Sequence, residues 1–267
     1  PPQKIEDGAV QINVIEGFVD RVAIQGQVRG PRRLLNEYRK MILRSRPLKS
    51  KDLERYLLLV DDLPGVSVKS VLTPSKDKPG ATNMTLILSN KAYEGSLGLD
   101  NRGTKFNGPI QINAGLSGNA LFKNYERIGL QGVVTSDTDE LQFFSGFYEQ
   151  PISSEGTKLF FSTSFSDSKP GSALKDFEVA GESKTFTLKI THPFIRSRAE
   201  NLTGSLSYTH RNSSTDILGT LDSEDRLRIV NLGLSYDFVD EYRGVNLVSF
   251  NLSKGFDIFD STKTGSE

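Results

Sequence analysis

LERYLLLVDDLPGVSVKSVLTPS, residues 53–75, carries two periodicities back to back, and the point where one yields to the other decides the fold. Leu53, Tyr56, Leu57 and Val60 recur at helical spacing and predict a helix from Lys51 to about Asp62. Ser50 offers an N-cap oxygen, with Glu54 close to the position that completes a capping box. Asp61-Asp62 forms a polar exit. Pro64 then forbids continuation, because it has no N–H, and Gly65 tolerates the backbone of a sharp turn. A strand, VSVKSVLTPS (66–75), starts at once.

Upstream, GAVQINVIEG (8–17) alternates through Val10, Ile12 and Val14 as a strand does, and FVDRVAIQG (18–26) alternates again, with Phe18, Val22 and Ile24 sharing a face. Pro31 precedes RRLLNEYRKMILRSR, where Leu34, Leu35, Tyr38, Met41 and Ile42 follow helical spacing and the other face is almost all basic; Pro47 ends that helix. Downstream, the turn-rich KDKPG leads to TNMTLILSN (82–90). From Phe18 the order is β-α-α-β-β, a small sheet with two helices on one face.

Beyond Tyr93 the reading changes. Nine segments alternate apolar with small polar residues: 95–102, 109–118, 127–134, 140–150, 158–166, 185–195, 201–211, 227–238 and 245–256. In KLFFSTSFS (158–166), for instance, Leu159, Phe161 and Phe165 oppose Lys158, Ser162 and Ser164. A soluble sandwich turns a charged face to water. Here the polar face is hydroxylated and glycine-rich while the apolar face is rich in Phe and Leu, which favours a membrane barrel with a wet lumen over a sandwich.

Bulk properties agree with two modules. The net charge is zero, so no attraction to nucleic acid is implied. Residues 1–90 carry fifteen Lys and Arg against ten Asp and Glu, leaving 18 against 23 in the remainder. There is no cysteine, hence no disulfide or thiolate site, and no apolar run long enough for a transmembrane helix. Only His192 and His210 are present, neither in a catalytic or metal-binding context, so no catalytic residue, cofactor or metal is expected.

Several stretches together carry a family resemblance: VIEGFVDRVAIQG (14–26), RPL (46–48), LLLVDDLPGVSV (57–68), LTPS (72–75), PGATNMTLIL (79–88), LGLDNRG (97–103) and THPFIRSRAENL (191–202). In this order they resemble TpsB transporters, the outer-membrane pores of two-partner secretion in the haemolysin secretion/activation family. The resemblance implies a bacterial outer-membrane protein with three parts. Residues 1–16 would close a preceding polypeptide-transport-associated (POTRA) domain. Residues 17–91 would form a POTRA domain in the periplasm, and 92–267 the N-terminal part of an antiparallel transmembrane β-barrel, about nine of an expected sixteen strands. The chain is then expected to be a fragment without the first POTRA domain, plug helix, lid loop and later strands.

The resemblance also implies a monomeric pore in outer-membrane lipid. It would capture an unfolded secreted exoprotein of TpsA type, which carries an N-terminal secretion domain, and thread it outward. The strand after the second helix would lie at a sheet edge over Val66–Thr73. Val66, Ser67, Val68, Lys69, Ser70 and Val71 become candidates for pairing with an extended client, unless that edge packs against a neighbour. Arg32, Arg33, Arg39 and Arg44 on the basic helix are weaker candidates for acidic client segments, against a simply solvated face. Gln111, Asn113, Arg127, Gln131, Lys158, Lys189 and Arg211 are the expected lumen residues, whether as a non-adhesive path or as ordinary lumen filling. An insertase of the same superfamily and a soluble periplasmic β-rich binding module are the competing readings.

Overall fold

The computed structural model describes residues 15–262. Its N-terminal module contains β1 (Phe18–Gly26), α1 (Arg32–Arg44), α2 (Ser50–Asp61), β2 (Val66–Pro74) and β3 (Ala81–Asn90), the expected β-α-α-β-β order. Most of the strand expected over 8–17 lies outside the described residues.

β3 is the central strand, parallel to β1 and antiparallel to β2. Met84, Leu86 and Leu88 alternate along it and are buried beneath the helices, against Leu35, Tyr38 and Ile42 of α1 and Leu59 and Val60 of α2. Each such side chain stabilises the module by roughly 1.5–3 kcal/mol. Two local expectations change. A bulge between Val19 and Arg21 turns Val19 inward with Val22, so Phe18 is only partly covered and the Arg46 guanidinium lies 4.6 Å from its ring centre. Ser50 is the first helical residue rather than the cap: Lys49 precedes the helix, and the Ser45 hydroxyl accepts from the Lys49 N–H (3.0 Å) while donating to Asp52 (2.8 Å).

Only Lys91 and Ala92 separate β3 from the second module. β4 (Tyr93–Asp100), β5 (Gln111–Asn119), β6 (Arg127–Thr135), β7 (Gln142–Pro151), β8 (Lys158–Ser168), β9 (Ala180–Arg196), β10 (Glu200–Ile217), β11 (Thr220–Val239) and β12 (Val245–Gly255) form one antiparallel meander in sequential order. All nine expected strands are present. β9, β10 and β11 run to 17, 18 and 20 residues, well past the roughly 9–11 that span a bilayer. Their surplus (Ser213, Ser214, Thr215, Glu224, Asp225) is polar on both faces, so it carried no alternation to read. A short 3-10 turn, Ser172–Phe177, occupies the connection between β8 and β9, where no helix was expected.

The register sorts the meander into two faces. One runs through Ser117, Gln131, Ser145, Ser164, Thr185, Ser207 and Asn231. The other carries large apolar side chains that nothing covers, among them Leu97 (82% exposed), Leu130 (67%), Leu206 (52%) and Leu252 (58%). Tyr93, Tyr148, Phe194, Tyr236 and Phe238 gather at the strand ends nearest the first module, an aromatic band at one margin of the apolar surface. No helix among the described residues is long and apolar enough to cross a membrane; the meander has the two-faced pattern by which strands do so.

Candidate functional site

The two modules share a packed junction, and α2 is its centre. Asp62, just beyond the helix, binds Arg196 at the end of β9 through both oxygens, 2.7 Å from Nε and 2.8 Å from Nη2. The Asp62 carbonyl accepts from Lys158 Nζ at 3.1 Å. About two turns back, Arg55 Nη2 donates to Glu155 (3.2 Å) and to the Pro193 carbonyl (3.1 Å), and the Tyr56 hydroxyl donates to Glu155 Oε1 (3.2 Å). Glu54 accepts from the Arg198 N–H at 3.1 Å. Glu155 belongs to the β7–β8 turn and Arg198 to the β9–β10 turn, so three consecutive polar residues of α2 each meet a turn of the meander.

Tyr125 completes the junction. It lies in the turn between β5 and β6, yet it is fully buried within the hydrophobic cluster of the first module. A Cβ on Gly30 would fall 2.2 Å from its ring, so only glycine admits the tyrosine. Glu126, also fully buried, shapes the turn: its carboxylate accepts from the N–H groups of Phe122 and Asn124, the latter at 2.8 Å. The Tyr125 hydroxyl has no partner among the described residues, and burial pushes its pKa up to about 12. Gly65 has φ of +70°, and a Cβ there would meet Asn119 at 2.6 Å. The glycine of DDLPG is therefore required by backbone conformation and by the second module alike.

The sheet order leaves β2 at an edge, as expected for Val66–Thr73. The six candidate residues there divide by parity. Val66 is buried, Val68 and Ser70 line a groove of about 330 Å³ between β2 and α2, and Ser67, Lys69 and Val71 lie on the outer face beside Ile87 and Thr85. Leu53 and Leu57 form the groove floor with Val68, and Arg198 of the second module stands at its rim.

Of the four candidate arginines, only Arg32 and Arg39, two turns apart, line a second groove of about 510 Å³ between α1 and β1. Arg29, in the loop before the helix, joins them; it escaped the sequence reading because no periodicity reaches it. Arg33 is not among its lining residues, and Arg44 points its guanidinium at Met41.

All seven expected lumen residues lie on the polar face, which the register establishes strand by strand: Gln111 pairs with Thr135, Asn113 with Val133, Gln131 with Ser145, Lys189 with Ser207, and Arg211 with Thr185. Three make side-chain contacts within the protein, Arg211 by donating from Nε to Ser183 Oγ at 3.3 Å. Arg127 donates to Glu94 (3.1 Å) and lies against the Phe147 ring, and Lys158 is spent on Asp62 and Glu149. His192 Nδ1 lies 2.9 Å from Thr157 Oγ1, a structural pairing at the same end of the sheet.

A family model described as haemolysin secretion/activation protein ShlB/FhaC/HecB matches residues 86–266, more than half of the chain and all of the meander. The chain belongs to this family. Heme/hemopexin transporter protein HuxB of Haemophilus influenzae is 26% identical over 214 residues, covering 79% of this chain and 38% of HuxB. HuxB of strain 86-028NP is 25% identical over 239 residues, covering 89% and 42%. The chain therefore spans about two fifths of the length of the curated relatives it matches.

Among solved structures, CdiB from Escherichia coli superposes with a TM-score of 0.78 at 21% identity, over 95% of this chain and 48% of CdiB. BamA from Haemophilus ducreyi lacking POTRA domains 1–3 gives 0.51 at 14% identity, over 89% and 48%. The fold is a POTRA domain followed by strands of an antiparallel transmembrane barrel, and the ShlB/FhaC/HecB family consists of outer-membrane β-barrel secretion proteins. In its terms the junction built on α2 joins POTRA to barrel.

Proposed function

We propose that this chain is the POTRA-and-barrel portion of an outer-membrane translocator that captures an unfolded secreted exoprotein in the periplasm and passes it through the pore. Residues 17–91 are the POTRA domain and 92–267 the first barrel strands. The observation that carries the reading is the pairing of two features on one chain. A free strand edge beside an apolar groove sits where α2 joins the barrel. From that junction a nine-stranded wall rises, hydroxylated on one face and bare Leu and Phe on the other.

Physical requirements favour this assignment. An unfolded client presents backbone groups at strand spacing whatever its sequence, and an edge strand binds those groups without reading side chains. Ser67, Lys69 and Val71 on the outer face and Val68 and Ser70 toward the groove supply the sides of that binding strip. Arg29, Arg32 and Arg39 offer charge to acidic client segments. Gln111, Asn113, Gln131, Lys189 and Arg211 line the lumen as short-range polar contacts that release the client. We infer that the complete transporter is a monomeric pore in lipid and that the junction end of the meander faces the periplasm, where the POTRA domain packs. The likeness to BamA raises an insertase as a second reading, but the superposition on CdiB is much closer.

Replacing Val68 or Ser70 by proline tests the edge. Secretion of the exoprotein encoded beside the transporter should fall at least fivefold in culture medium; unaltered secretion discards client capture at β2. Deleting that exoprotein's N-terminal secretion domain should abolish its binding to the transporter, and unchanged affinity would remove the two-partner assignment.

A further inference from the structure

β2 offers a partner fewer backbone groups than its length suggests. At one end of the strand the Gly65 carbonyl accepts from the Lys91 N–H (2.7 Å), and at the other the Ser75 N–H donates to the Ala81 carbonyl (2.9 Å). Backbone groups of an antiparallel strand alternate sides, so odd-numbered residues pair with β3 while Val66, Val68, Ser70, Leu72 and Pro74 turn toward the free edge. Three of these five are already closed. The Val66 N–H donates to the Leu63 carbonyl (3.0 Å), the Val68 N–H donates to Asp61 Oδ1 (3.1 Å), and Pro74 has no N–H. Among the described residues, only Ser70 and Leu72 keep outward N–H groups without a partner.

We propose that Asp61 is a removable cap on this edge, holding the Val68 N–H until the carbonyl of an extended client segment displaces it. The inference rests on the reading of β2 as the client-docking edge and names the residue that limits it. Asp61 is the last residue of α2, where the helix dipole disfavours a carboxylate, so helix stability does not account for it. Its neighbour Asp62 is explained by Arg196, whereas Asp61 forms no ion pair among the described residues. The side chain is exposed at the rim of the groove between α2 and β2, so it can swing into water without disturbing the core. While in place, it shortens a bare edge that would otherwise template pairing with any passing strand.

The test uses the detergent-solubilised transporter and a labelled peptide, acetyl-Lys-Thr-Val-Thr-Val-Thr-Val-Lys-amide, with affinity read by fluorescence anisotropy and amide exchange read at residues 66–70. Asp61→Ala should bind the peptide about two- to tenfold more tightly, the span of one net hydrogen bond. It should also speed exchange of the Val68 amide. Asp61→Asn, which keeps an acceptor oxygen and removes the charge, should behave as the unmodified protein in both measurements. Equal tightening in both variants would mean that charge alone acts, and the cap is overturned. An unchanged Val68 amide in Asp61→Ala overturns it whatever the peptide does. Ser70→Pro separates the two layers of the argument. If it abolishes binding while Asp61→Ala leaves affinity unchanged, the docking edge stands and the cap falls; if neither variant alters affinity, the docking edge falls and the cap with it.

Discussion

The POTRA domain and the barrel wall solve the same problem in opposite directions. In the POTRA domain, Val19, Leu35, Tyr38, Ile42, Leu59, Val60 and Leu86 disappear into a cluster closed by two helices. In the wall, Leu97, Leu130, Leu206 and Leu252 stand uncovered, while the opposite face is rich in Ser, Thr, Asn, Gln and Gly, with Arg127, Lys158, Lys189 and Arg211 set among them. Both modules alternate apolar with polar residues along their strands. What differs is the polar partner: charged and helix-flanked in the first, small and hydroxylated in the second. The lesson is that the chemistry of the polar face tracks whether an apolar face is covered by helices or left open.

Tyr125 is where the two solutions touch, since a barrel turn supplies a core residue to the POTRA domain. Tyr125→Ala should cost the POTRA domain about 3–5 kcal/mol and loosen it from the barrel. Urea titration followed by hydrogen exchange over residues 30–44 would show this, and full retention of protection would mean the junction is decorative. Next in size, Leu206→Arg should lower barrel stability in lipid vesicles by about 2–4 kcal/mol, whereas Ser205→Arg, one residue away on the polar face, should cost less than about 1 kcal/mol. Equal costs would erase the distinction between faces.

A double-mutant cycle of Asp62→Ala with Arg196→Ala should report a coupling of about 1–2 kcal/mol, because the pair is bidentate but only partly shielded from water. A coupling near zero would mean that this ion pair adds nothing, leaving the helix–barrel contact to Arg55, Tyr56 and Tyr125. Smallest of all, Tyr125→Phe should change stability by no more than about 0.5 kcal/mol, since the hydroxyl it removes is buried without a partner. A large loss would reveal a hydrogen bond through water at that site.

Much of the fold was legible because its signals are local. The DDLPG stop, the two helix stripes and nine alternating segments each depend on residues within ten or so positions of one another. The whole polar face could be named strand by strand for the same reason: a period of two places Gln111 and Asn113, or Lys158 and Ser162, on one side whatever the neighbouring strand does. The junction was not legible. Asp62 and Arg196, Arg55 and Glu155, Gly30 and Tyr125 are each separated by some hundred residues, and each reads in the sequence as ordinary surface. The misplaced cap on α2 has the same origin in miniature: Ser45 reaches Lys49 only because the chain doubles back between the helices.

By itself, then, the sequence determined which segments are helix and strand, which face of each strand is wet, and the kind of solvent each apolar face needs, since all three follow from side-chain chemistry repeating at short range. Tertiary structure alone decided which two outward N–H groups on the edge strand stay open and how a barrel turn locks into the POTRA core. Those outcomes turn on sheet order and on contacts across the whole chain. DDLPG shows both at once: its proline and glycine announce the turn, but only the fold shows one aspartate gripping the barrel and the other covering the edge.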